Sequence, residues 1–255
     1  MAAPIDITSG DAALDAFLAG GYMQIRGMSS RFAAAICGHV IKRQSDIGIG
    51  GDILEIGTFE GRFFVAMAKL LQAGEHALGI DVFTWPSEKV YDHFVENCAN
   101  HGLKPGSTTA WKVDTLKISA AELRAKLLAG RARFVHVDGE HNAECLRNDL
   151  ELAHAVLHPD GVIALDDMLH PGYPTLIVTV IEYLNRHPEM RALCIVDRES
   201  ITAAAKLLIC RIESVPKYEQ ELMRFYAPFH YTLGADFLGH FTLVLTPDPT
   251  LPKID

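Results

Sequence analysis

Between residues 52 and 170 the chain alternates, in a regular rhythm, between short apolar runs of strand length and segments with helical periodicity. The runs are DILEIG (52–57), HALGIDVF (76–83), TTAWKVD (108–114), RFVHVDG (133–139) and GVIALDD (161–167). They are nearly continuous in apolar character, the pattern of strands covered on both faces. Strand–helix alternation of this kind specifies a doubly wound, mostly parallel α/β sheet. The clearest intervening helix is 143–157, where Ala143, Leu146, Leu150, Ala153 and Leu157 share one face. Beyond residue 173 the rhythm changes. A helix over 175–185 precedes two closely spaced apolar runs, 191–197 and 205–212, which read as an antiparallel pair. A helix near 216–226 and a last strand at 240–246 follow. Residues 1–50 are helical without a separate core and read as a cap on a domain spanning 51–255. Ser29 or Ser30 is placed to cap a helix carrying Phe32, Ile36 and Val40.

Ligands of open parallel sheets bind beyond the carboxyl ends of the strands, so those ends carry the functional information. The first strand runs into Glu55-Ile56-Gly57-Thr58-Phe59-Glu60-Gly61. Gly57 and Gly61 permit close backbone approach to a ligand. A dinucleotide turn needs glycine where Phe59 stands, and Glu60 adds negative charge at a helix start that would otherwise hold phosphate. A cationic sulfonium nucleoside tolerates both. Glu55, Gly57, Thr58 and Gly61 are therefore the candidate cofactor turn. Asp81, about 20 residues on, suits ribose hydroxyls, which also fits NAD. Asp114 ends the third strand, where it serves equally as an adenine contact or a helix cap.

The fourth strand ends in Asp138-Gly139-Glu140-His141 and the fifth in Asp166-Asp167. Neighbouring strand tips bring three carboxylates, Asp138, Asp166 and Asp167, to one rim. Mutual repulsion there favours a bound cation, and carboxylate oxygen is the preferred Mg²⁺ ligand. His141 titrates near neutrality and is the candidate base, with a capping role as the plain alternative.

LEIGTFEGRFF, GIDVF, HVDGEH, the helix with Asp149, and LHPDGVIALDD together resemble the S-adenosylmethionine (SAM)-dependent methyltransferases of the macrolide-sugar O-methyltransferase type. The likeness extends from residue 52 to about 187 and more loosely to the N-terminal helix. It implies a seven-stranded Rossmann-like class I fold, SAM contacts at Gly57, Gly61 and Asp81, and Mg²⁺ on Asp138, Asp166 and Asp167. The Asp…Asp-Asp spacing is also similar to that of catechol O-methyltransferases, which carry lysine as base where this chain has His141. The resemblance favours a hydroxyl acceptor: a sugar, a phenol or a natural-product scaffold. An NAD-dependent oxidoreductase, a non-catalytic SAM binder and a metal-independent N- or C-methyltransferase are the competing readings.

The net charge of −9, with no basic stripe, argues against a nucleic-acid partner and for a small-molecule substrate. Five scattered cysteines without CxxC argue against disulfides or structural zinc on cysteine. With no basic leader and no membrane-length apolar run, the expectation is a cytoplasmic protein with no membrane partner; a homo-oligomer stays open. Trp85, Tyr91, His93 and His170 are candidates for lid or substrate contacts, as are Met23 and Arg26 from the N-terminal segment. His154 and His158 lie near a helix end, where the helix dipole accounts for them.

Overall fold

A computed structural model describes residues 6–200 and 202–250. Helices α1 (Ala12–Gly20) and α2 (Arg31–Asp46) precede the alternating region β1 (Asp52–Ile56), α3 (Arg62–Ala68), β2 (Ala77–Asp81), α4 (Lys89–Asn100), β3 (Thr108–Lys112), α5 (Ala120–Lys126), β4 (Ala132–Val137), α6 (Ala143–Val156) and β5 (Leu157–Met168). The chain continues through α7 (Thr175–Arg186), β6 (Met190–Val196), β7 (Ala205–Arg211), α8 (Val215–Phe225), β8 (Ala235–Phe237) and β9 (His240–Leu245). One sheet collects the strands in the order β3-β2-β1-β4-β5-β7-β6-β9-β8. β1 to β5 pair in parallel, and β7 is antiparallel to both β5 and β6.

The sheet has nine strands, not the expected seven. β9 adds to the β6 edge in parallel, and the three-residue β8 folds back on β9. β8 is short and only partly buried, so it leaves no apolar run to read in the sequence.

Side-chain alternation divides the core. Ile53, Phe134, Val162 and Leu208 face α1, α2, α3 and α8; Leu54, Val135, Ile163 and Ile209 face α6 and α7. α1 and α2 thus share a core with the sheet, through Leu14, Phe17, Phe32, Ile36 and Val40. The helix starts follow local chemistry. Ser30 accepts from the Ala33 amide at 3.0 Å to cap α2, and Asn142 from Cys145 at 2.9 Å to cap α6. At the amino edge of the sheet, the fully buried Arg133 pairs with Glu75 at 2.6 Å and donates to the Ile41 carbonyl at 2.8 Å, tying α2 to β4. No helix among the described residues is long and apolar enough to cross a membrane.

Candidate active site

The carboxyl ends of β1, β2, β4 and β5 form the rim. The Gly57 amide donates to the Ile80 carbonyl and the Asp138 amide to the Ile56 carbonyl, both at 2.8 Å, so the β1 turn is laced to its two neighbours. Gly57 has φ +84°, and a Cβ there would lie 1.9 Å from the Asp138 carbonyl oxygen. Only glycine lets the turn pass this close to the β4 tip. The candidate cofactor turn and the acidic rim are therefore in direct contact.

Asp81 organises that turn. Its two oxygens accept from the Phe59 amide at 2.8 Å and the Phe83 amide at 2.7 Å, and both residues have positive φ. Each carboxylate oxygen retains a second lone pair for a ribose hydroxyl. Arg26, from the N-terminal segment, lies 4.7 Å over the Phe59 ring and 3.5 Å from Glu60. His93 reaches Glu60 at 3.1 Å, and Trp85 lies 5.6 Å from Phe59. The Thr58 hydroxyl is buried without a partner among the described residues. Asp114 caps the 3₁₀ turn after β3, accepting from Leu116 at 3.0 Å, and pairs with Lys117 at 3.2 Å. Its cap reading holds in the structure.

Asp138, Asp166 and Asp167 line one pocket at the rim, but their side chains take different partners. Consecutive residues point to opposite faces of a strand, so Asp166 and Asp167 part. Asp166 turns to the α2 side and forms an ion pair with Lys206 of β7. Lys206 is completely buried; it also donates to His136 Nε2 at 2.9 Å and Ser29 Oγ at 3.3 Å, and its ammonium sits 4.6 Å over Phe63. Ser29 in turn donates to Asp166 at 3.1 Å. His136 passes the network on. Since Nε2 accepts from Lys206, Nδ1 carries the proton and donates to Glu55 at 2.7 Å. Glu55 thus faces His136, not the glycine turn, and its second oxygen is buried without a partner. Burial pushes the Glu55 carboxyl well up; burial and then Lys206 push His136 well down. Burial alone would raise Asp166, but Lys206 and His136 hold it below its ordinary value.

Asp167 turns to the other face and meets His141 Nε2 at 2.6 Å. That contact raises the His141 pKa, and His141 in turn holds Asp167 low against the effect of burial. The His141 ring stacks on Tyr173 at 4.3 Å, and Tyr173 on His170 at 4.7 Å. Asp167 and Leu169 have φ +57° and +62°, a strained turn of the kind that concentrates at functional sites. A cleft of about 160 Å³ opens beside it, lined by Leu169, His170, Asp197 and Arg198.

Asp138 stands between the two halves. Its potential ligand oxygen groups with His136 and Asp166 on one side and with His141 and Asp167 on the other. Its carboxylate accepts no hydrogen bond among the described residues, and burial followed by Asp166 drives its pKa well up. An unpartnered carboxylate between two others fits a cation. Of the three carboxylates, Asp166 is the one that pairs with the Lys206 ammonium; Asp138 and Asp167 do not.

Lys206, His136 and Ser29 had no functional reading in the sequence. The available signal was a charged or polar side chain inside an apolar strand: Glu55 in LEI, His136 in VHV, Lys206 in AKLL. Such positions are almost never fully buried unless paired.

Residues 54–168 match the family described as "Methyltransferase domain". No curated protein sequence is similar to the chain. Among solved structures, the O-methyltransferase NovP superposes with a TM-score of 0.59 at 13% identity, covering 71% of this chain and 80% of that one. A TDP-rhamnose 3′-O-methyltransferase of calicheamicin biosynthesis gives 0.57 at 16% identity, covering 77% and 85%. TomG of Streptomyces achromogenes, an O-methyltransferase solved with SAM, gives 0.56 at 18% identity, covering 79% and 90%.

Proposed function

We propose that this chain, whose residues 54–168 match a methyltransferase domain, is a class I methyltransferase that transfers the methyl group of SAM to a hydroxyl of a small molecule. The observation that supports the reading is the contact between the Gly57 turn and Asp138, which sets the candidate cofactor turn directly against an acid–histidine rim. Phe59, under Arg26 and beside Trp85, stands where a dinucleotide turn needs glycine, which favours SAM over NAD.

Methyl transfer is an in-line displacement at carbon, and a hydroxyl attacks well only as it loses its proton. His141, held through its Nε2 edge in ion-pair contact with Asp167 at 2.6 Å, is the group placed to take that proton. Asp167 here orients the ring and supports the imidazolium, as a carboxylate behind a histidine base does. Tyr173, stacked on both His141 and His170, holds the two imidazoles beside the rim where an acceptor would sit. Holding acceptor and SAM in line supplies much of the remaining rate. Asp138 and Asp167 are the carboxylates that would hold Mg²⁺, with His141 beside them as the base. The ion would supply Lewis acidity toward the acceptor hydroxyl. Five free cysteines, four of them buried, support a reducing, cytoplasmic setting.

The test is twofold. S-adenosylhomocysteine, but not NAD, should raise the melting temperature of the protein. Labelled methyl from SAM should then appear as an ether on phenolic or glycosidic acceptors, with and without EDTA. Stabilisation by NAD alone would overturn the assignment; turnover unaffected by EDTA would remove the metal and leave the His141 chemistry standing.

A further inference from the structure

At the opposite edge of the sheet, α6 and α7 both end beside the start of β6. Three side chains from these ends converge. His154 lies in the last turn of α6, His187 directly follows α7, and Glu189 precedes β6. His154 Nε2 and His187 Nδ1 approach the same oxygen of Glu189, at 3.4 and 3.5 Å. The three ligand atoms all lie within 4.8 Å of one another.

These separations are long for N–H···O hydrogen bonds, which cluster at roughly 2.7–3.2 Å. They match the edge of a coordination tetrahedron instead. Bonds of about 2.0–2.1 Å to Zn²⁺ at the tetrahedral angle put neighbouring ligand atoms roughly 3.3–3.4 Å apart.

The outward-facing nitrogens are also held. His187 Nε2 faces both oxygens of Glu151 at 3.2 Å, and Arg186 fixes that carboxylate at 3.2 Å. A proton on Nε2 leaves Nδ1 bare toward Glu189. His154 Nδ1 meets the hydroxyl of the fully buried Tyr183 at 2.8 Å. A histidine ligand whose far nitrogen is tied to a carboxylate or other fixed partner is the usual outer arrangement of a protein metal site.

We propose that His154, His187 and Glu189 bind a transition-metal ion of the Zn²⁺ class, with water completing the shell, and that the ion clamps the ends of α6 and α7 to β6. Two imidazoles and one carboxylate select such an ion over Mg²⁺. The site is remote from the catalytic rim, so its role is to brace the fold, and it stands whether or not the methyltransferase reading does.

The experiment uses the whole chain, stripped with chelator and desalted. Co²⁺ titration should give one equivalent of tetrahedral visible bands, which Zn²⁺ then bleaches, and Zn²⁺ should raise the melting temperature. Glu189→Gln and His187→Ala should each weaken Co²⁺ binding at least tenfold without changing the metal-free melting temperature or methyl transfer. Asp138→Asn, at the rim, should keep the bands. No bands in the wild type, equal binding by both remote variants, or loss of the bands in Asp138→Asn would overturn the proposal.

Discussion

Replacing Lys206 with methionine keeps the length and apolar stem of the side chain and removes only its charge. The wild-type ammonium is wholly buried and neutralises Asp166, while also holding His136 and Ser29. Methionine leaves a carboxylate that is only 9% exposed, with the Asp167 amide at 2.8 Å and the Ser29 hydroxyl at 3.1 Å as its remaining hydrogen-bond donors and no cation against it. Breaking a buried ion pair from one side costs about 3–5 kcal/mol. For a chain of this size each kcal/mol moves the melting temperature by roughly 2–4 °C, so Lys206→Met should melt about 12 °C lower. Adding Asp166→Asn removes the stranded charge. The double variant should regain most of the loss, because deleting both partners of a buried pair is often near neutral. The assay is a double-mutant cycle by thermal and urea unfolding, in which the coupling should reach at least about 2 kcal/mol. A single-variant shift under roughly 3 °C, or singles that simply add, would refute the assignment of Lys206 as the buried counter-ion, since contacting charges cannot behave as independent sites.

Gly57→Ala should weaken SAM binding at least tenfold by calorimetry while the circular dichroism spectrum is kept, because the new methyl meets the Asp138 carbonyl at 1.9 Å. Unchanged affinity would mean the turn does not hold the cofactor. Asp167 holds the His141 pKa up, so the acid limb of kcat/KM should lie above the ordinary histidine value of about 6.5. Asp167→Asn should move that limb to lower pH and reduce the plateau; an unmoved limb removes His141 as the titrating base. Burial lowers His39 and lowers His136 strongly. Below about pH 6.5 the unfolded chain binds protons that these two folded rings refuse, so their stability contribution is complete above that pH and fades as pH falls, by up to roughly 1.4 kcal/mol per pH unit for each. Urea midpoints from pH 7.5 to 5.5 should drop accordingly, and His39→Gln should flatten part of the slope.

Periodicity alone carried the architecture as far as Met168. The five apolar runs became β1 to β5, and 143–157 became α6, because a strand buried on both faces and a helix buried on one cannot disguise their composition. Position at the strand tips likewise marked Gly57, Asp81, Asp138, Asp167 and His141, since parallel topology forces those ends to one rim. The partners of those residues were decided in three dimensions. Whether Asp166 faces a metal or a lysine depends on which strand lies beside β5, and that strand is β7, more than thirty residues further on. The same insertion of β7 brings Lys206 beside the β4 histidine, and the packing of the N-terminal segment adds Ser29. His154, His187 and Glu189 tell the same story at the other edge: their meeting follows from where two helices happen to stop. A chain advertises which side chains are buried through local pattern; which charge ends up neutralising which is a long-range outcome, because desolvation makes each buried ion dependent on a neighbour that sequence order does not name.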